Sequence, residues 1–170
     1  VTTSQGGAVL TDDDVLAERV RDLTDHGGGW RETRLHKGVG GNFRMPDILA
    51  SLGVSQMERL DDLIAAREML HESYRKHIGK LHERLQCGWC VIYRSIPKPS
   101  LPLIDYLRER GIEALQPYRP VHHSPAFARS GSFPNAERAA RELVYLPSHL
   151  KLTEAQVAHV CRSILEYEQA

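Results

Sequence analysis

The chain is 170 residues long, which is room for about one average domain with a real core and too little for a large enzyme. Lys plus Arg and Asp plus Glu each number 22, so the net charge is zero, which argues against a nucleic-acid arm or a polybasic membrane patch. Apolar residues make up 41% and charged ones 26%, ordinary globular values that exclude wholesale disorder and predict a folded chain.

The chain opens on Val1 without a methionine and reads as one entered partway through. Ala8 to Thr11 is a short β-prone run, and Thr11 with Asp12 to Asp14 supplies capping groups and acidic first-turn charge, so a strand followed by a helix is expected. Val15, Leu16, Val20 and Leu23 recur at helical spacing until His26 and three glycines stop the element. Six glycines between 27 and 43 then predict a flexible loop. Pro46 suits a first helical position; Ile48, Leu49 and Leu52 form one face, and Gly53 is expected to interrupt it.

Ser55 and Glu58 stand as a capping box, predicting a long helix whose face runs through Met57, Leu60, Ile64, Arg67, His71, Tyr74, Ile78, Leu81 and Leu85. The polar members Arg67 and His71 favour packing across a small domain over a coiled-coil seam. The period then changes to two, with Trp89, Val91 and Tyr93 alternating with Cys90, Ile92 and Arg94 in a strand closed by Pro97 and Pro99. A helix over Leu101 to Arg108 ending at Gly111, a short strand over Ile112 to Leu115, and a Pro- and His-rich loop from 117 to 135 follow. The chain closes with a helix over Ala136 to Leu143, an extended stretch over Val144 to Leu146 and an amphipathic helix over Thr153 to Glu168, a mixed α/β tail.

Three cysteines are too few and too odd in number for a disulfide framework, so a reducing, cytoplasmic setting is expected. No apolar run approaches the roughly 20 residues of a membrane span, and no basic segment leads into an apolar one at the start. Neither a membrane nor a nucleic acid is an expected partner. Cys87 and Cys90 form a CxxC, but it opens a strand rather than a helix and has no second CxxC, so ordinary thiols are the expectation. The same CxxC could be half a zinc site, and His122 and His123 with Cys161 or Cys90 are a second metal combination, but the missing second CxxC and the scattered histidines leave no metal expected. The glycines from 38 to 41 followed by Asn42 suit either a plain loop or a close backbone approach to an anion, with Asn42 as a neutral donor.

Four ordered blocks carry a resemblance: VTTSQGGAVLTDD from Val1, GNFRMPDILASLGVSQMERL from Gly41, PVHHSPAF from Pro120 and LPSHLKLT from Leu146. Together they resemble the DegT/StrS-type sugar aminotransferases, which are fold type I pyridoxal-phosphate enzymes, over essentially the whole chain. The Asn-aromatic-Arg-Met block followed by Leu-Gly-x-x-Gln is the most specific part.

The resemblance implies an α/β chain holding the end of the large cofactor-binding domain and the active-site loop in 1–44, and a connecting helix with the C-terminal small domain in 45–170. It places the lysine that holds the cofactor two residues before the position of Val1, so no catalytic residue is expected within the chain. Ser4 and Gln5 stand where the family has Gly-Glu, a departure that loses a carboxylate.

Asn42 matches the family asparagine that crosses a homodimer interface to the cofactor phosphate of the other subunit, and Arg44, two residues on, is expected to reach phosphate or substrate. His122 matches the histidine of the family's Pro-x-His-x-x-Pro loop at the mouth for the sugar nucleotide, and His123 is an extra one beside it. The implied activity is transfer of an amino group from an amino acid, L-glutamate above all, to a keto-sugar, with pyridoxal 5'-phosphate as cofactor. A sugar 3-dehydratase on the same scaffold and a catalytically silent dimeric binding module are the alternatives.

Overall fold

The computed structural model describes residues 2–79, 89–127 and 131–170. The chain divides into two compact units, Val1–Leu60 and Asp61–Ala170.

In the first unit, Ala8 to Thr11 forms no strand; Val9 is 61% and Leu10 94% exposed. β-propensity alone does not make a strand, because an extended backbone is held only when a neighbour takes up its N–H and C=O groups, and none of the described residues does so here. The next expectation holds. Helix α1, Asp14–Thr24, is capped by Asp13, whose carboxylate accepts from the Leu16 N–H at 3.0 Å, while the Thr11 hydroxyl oxygen accepts from the Asp13 N–H at 3.0 Å.

After α1 the chain makes two antiparallel legs. The His26 N–H donates to Gly41 O at 2.9 Å, the Gly41 N–H to Leu23 O at 3.0 Å and the Phe43 N–H to Thr24 O at 3.0 Å, with Asp25 and Asn42 as a bridging pair. The expected flexible loop is therefore tied at its base, with a short helix α2, Trp30–Thr33, between the legs. A Cβ on Gly40 would lie 2.7 Å from the Gly27 Cα and 2.9 Å from Leu23 O, so these glycines serve the close approach of one leg to the other. Helix α3, Asp47–Met57, starts with Pro46 at its cap and runs through Gly53 and Ser55. Gly53 does not interrupt it.

The break comes at Glu58 and Arg59, before helix α4, Leu60–Ile78. The expected capping box at Ser55 is not used. Asp61 and Asp62 place negative charge in the first turn of α4, and Arg75, Lys76 and His77 place positive charge in its last, so the helix field favours this start. In α4 Leu70, Tyr74 and Ile78 are buried, whereas Ile64 is 47% exposed, so the expected face is covered only toward its C-terminal end. Leu81, Leu85 and Cys87 lie outside the described residues.

Strand β1, Val91–Arg94, pairs antiparallel with β2, Leu143–Leu146, in the register Val91 with Leu146 and Tyr93 with Val144. Both faces of this two-stranded sheet are covered. Val91, Tyr93 and Val144 join the main cluster with Leu103, Leu107, Val157 and Ile164, while Cys90, Ile92 and Leu143 form a second one. Helix α5, Ser100–Glu109, packs on helix α7, Glu154–Gln169, and helix α6, Pro134–Glu142, leads directly into β2. The strand expected over Ile112 to Leu115 shrinks to one bridge, Leu115 with Tyr145. Arg67 does pack within the unit, donating to the carbonyls of Trp89, at 3.1 Å, and Ser148. Tyr74 donates its hydroxyl to Pro147 O at 2.9 Å, tying α4 to the segment after β2. Among the described residues no helix is long and apolar enough to cross a membrane.

Candidate functional site

Asn42 and Arg44 stand at the end of the second leg in the first unit. The Arg44 Nε donates to Asn42 Oδ1 at 3.1 Å, and a guanidinium donates only to an acceptor, so the Asn42 carbonyl faces Arg44 and its NH2 group is turned away from it. Asn42 is exposed. Arg44 also faces Asp25, its Nε 3.5 Å from Asp25 Oδ1, while the Arg31 Nε lies 3.1 Å from Asp25 Oδ2. Asp25 Oδ1 is buried without a hydrogen-bond partner among the described residues, so the carboxylate depends on these two cations for compensation. Two arginines thus share this one carboxylate.

An open cleft of about 530 Å³ lies in the same unit. Its walls set Asp14, Glu18, Asp22, Asp25 and Glu32 against Arg21, Arg31 and Lys37, and neither Asn42 nor Arg44 lines it. With carboxylates outnumbering cations, the cleft is a poor place for an anion.

His122 and His123 stand together in the second unit on a single 3-10 turn, Val121–His123, their ring centroids 4.3 Å apart and edge to face. The His122 side chain is only 13% exposed; its Nε2 lies 3.2 Å from Glu137 Oε1 and its ring rests on Phe133 at 4.6 Å. The Phe133 N–H donates to the same Glu137 oxygen at 3.3 Å, so that carboxylate orients His122 and is itself held in place. Cys90 and Cys161 are not grouped with these histidines: they are buried in the two separate clusters, and burial, with the Glu154 charge, pushes the Cys161 thiol up to about 11.

Asp25 and Glu137 are the site residues that sequence reasoning missed. Asp25 carries no signal apart from sitting at the end of a helix, and Glu137 lies fifteen residues from its imidazole across an irregular loop, a separation that no periodicity links.

Solved structures similar to this fold include aminotransferases. Helicobacter pylori PseC, an aminotransferase involved in the biosynthesis of pseudoaminic acid, superimposes with a TM-score of 0.88 at 24% identity over 100% of this chain and 51% of that one. DesV of S. venezuelae gives 0.81 at 28% identity, covering 95% of this chain and 46% of that one. The architecture is that of the fold type I pyridoxal-phosphate-dependent transferases. The chain belongs to the DegT/DnrJ/EryC1/StrS aminotransferase family, whose model matches residues 1–165. Among curated relatives, a GDP-perosamine synthase of Escherichia coli O157:H7 is 30% identical over 98% of this chain and 48% of its own length. The erythromycin biosynthesis sensory transduction protein EryC1 of Saccharopolyspora erythraea is 31% identical over 94% of this chain and 46% of its own. The chain thus spans about half the length of the curated relatives it matches.

Proposed function

We propose that this chain is the C-terminal part of a pyridoxal-phosphate-dependent aminotransferase that moves an amino group from an amino acid, L-glutamate, to a nucleotide-linked keto-sugar. The observation that carries this reading is the family match over residues 1–165. The names of the relatives, GDP-perosamine synthase among them, support the sugar-nucleotide class.

The donor set at Asn42 suits a phosphate. The outward NH2 group of Asn42 donates to a phosphate oxygen, and Arg44 supplies charge and holds the amide in that orientation. Asp25 holds Arg44 and Arg31 in place. When bound, pyridoxal phosphate supplies an electron sink that lets a proton leave the carbon bearing the amino group. On the substrate side, His122, whose ring Glu137 holds, is the residue this reading assigns to the sugar nucleotide, with His123 as a second imidazole beside it. In this reading residues 1–44 complete the large domain and 45–170 carry the small one. Asn42 serves the cofactor of a second copy in a cytoplasmic homodimer, and the exposed apolar side chains of Val39, Phe43 and Ile48 support an assembled state for this part of the chain.

Borohydride reduction of the native protein, followed by peptide mapping, tests the proposal. The expected result is a pyridoxyl group fixed on a lysine two residues before Val1, and Asn42→Ala is expected to weaken cofactor retention about tenfold. Bound cofactor without a reduced lysine would replace the aminotransferase with a sugar 3-dehydratase. Absence of bound cofactor would overturn both.

A further inference from the structure

The geometry points to a divalent transition-metal site formed by His122, His123 and Glu137, with zinc as the best-suited ion. One ligand atom from each residue lies within 4.8 Å of the others, a grouping of two imidazoles and one carboxylate. This donor set suits zinc, which takes nitrogen and oxygen ligands at about 2.0–2.2 Å and leaves a fourth position for water or a ligand when the protein supplies three.

One edge of the site is already at ligand spacing. Two ligands about 2.05 Å from a tetrahedral ion stand about 3.3 Å apart, and His122 Nε2 and Glu137 Oε1 are separated by 3.2 Å. The proton now shared between them would leave to solvent as the ion takes the imidazole lone pair and a carboxylate oxygen. The other two edges close by rotation of His123, which is exposed and whose ring already lies edge to face with that of His122.

The outer groups are also in place. Phe133 holds the carboxylate through its N–H at 3.3 Å and covers one side of the His122 ring, so two of the three ligands are oriented before any ion arrives. These residues come from two elements, the 3-10 turn Val121–His123 and helix α6, so a bound ion would also clamp the loop to the helix.

This site does not depend on the aminotransferase reading, because the ion is measured without substrate or cofactor. The purified protein, stripped of metal, is titrated with zinc against a chromophoric chelator, and with cobalt to read the coordination from its visible absorption. The expected result is one ion per chain with a low-coordinate cobalt spectrum, zinc binding at least about tenfold weaker in His123→Gln and in Glu137→Gln, and no change in His149→Gln. His123 is exposed, so its variant keeps the fold and decides the matter even if Glu137→Gln loses stability. Equal zinc affinity in His123→Gln and the parent protein, or a hydrated six-coordinate cobalt spectrum in the parent, overturns the site.

Discussion

The two units hold together by different means. In the second, Tyr74, Tyr93, Leu103, Leu107, Val144 and Ile164 are each at most 1% exposed, and two clusters cover the two faces of one short sheet. In the first, the only described residues classed as buried are Gly27 and Gly28, and Leu10, Val15, Phe43, Ile48 and Val54 expose most of their apolar surface. Its order comes from backbone hydrogen bonds between the two legs, from the Asp13 cap and from the charges around Asp25. Burial of apolar area is the dominant favourable term in folding, so the second unit carries its own stability and the first buries little apolar surface of its own.

The largest expected contrast follows from two leucines. Leu107→Ala, at a position 0% exposed, is expected to cost about 2–5 kcal/mol, and Leu10→Ala, at 94% exposed, less than about 0.5 kcal/mol, both read from urea unfolding. Comparable costs would break the comparison and show that Leu10 is covered in solution.

A smaller effect separates the units within one molecule. Gly40→Ala pushes a Cβ to 2.7 Å from the Gly27 Cα, an overpacking expected to cost about 1–3 kcal/mol. Hydrogen exchange sharpens the point. The Gly41 and Phe43 amides, which donate to Leu23 O and Thr24 O, are expected to lose protection, while those of Val91 to Arg94 keep theirs. Equal loss in both regions would mean that the two units open together.

The same divide governs what the sequence makes legible. Apart from the strand expected over Ile112 to Leu115, elements in the second unit follow local signals that agree with the packing: Thr153 with Gln156 closes a capping box on α7, and the alternation around Tyr93 becomes a strand. In the first unit, Ala8 to Thr11 has the composition of a strand and nothing described to pair with, and pairing is not a property of the segment. The break at Glu58 is hidden by Ser55, whose capping pattern competes with the charge preference of Asp61 and Asp62 nearly two turns later. At the candidate site, the resemblance brings Asn42 and His122 into view by motif. Asp25 and Glu137 become visible only when loops close over distances that no sequence spacing encodes.

Capping offers a finer test on the well-packed side. Thr153 accepts from the Gln156 N–H while Gln156 Oε1 accepts from the Thr153 N–H at 2.9 Å, so Thr153→Ala leaves the Gln156 N–H in the first turn of α7 without a side-chain partner. The expected cost is about 1 kcal/mol, read as an earlier urea midpoint with an unchanged slope. A changed slope would mean that α7 frays apart from the rest of the core.

The smallest effect is a pH dependence placed in the second unit by His71. Burial first, then the Arg75 and Arg67 charges, lower the pKa of this imidazole below its ordinary value of 6.5. A group with a depressed folded pKa leaves the unfolded chain binding more protons between the two values, so its contribution is present above about pH 6.5 and is lost as the pH falls through the folded value. His71→Gln, which removes the titration and keeps a polar side chain, is expected to flatten the stability profile below that pH. An unchanged slope would move the acid sensitivity to other groups, such as Glu154, which Ser73 and His77 hold below the usual carboxylate range and whose contribution fades only at lower pH. The two origins are therefore told apart by where on the pH axis the loss begins.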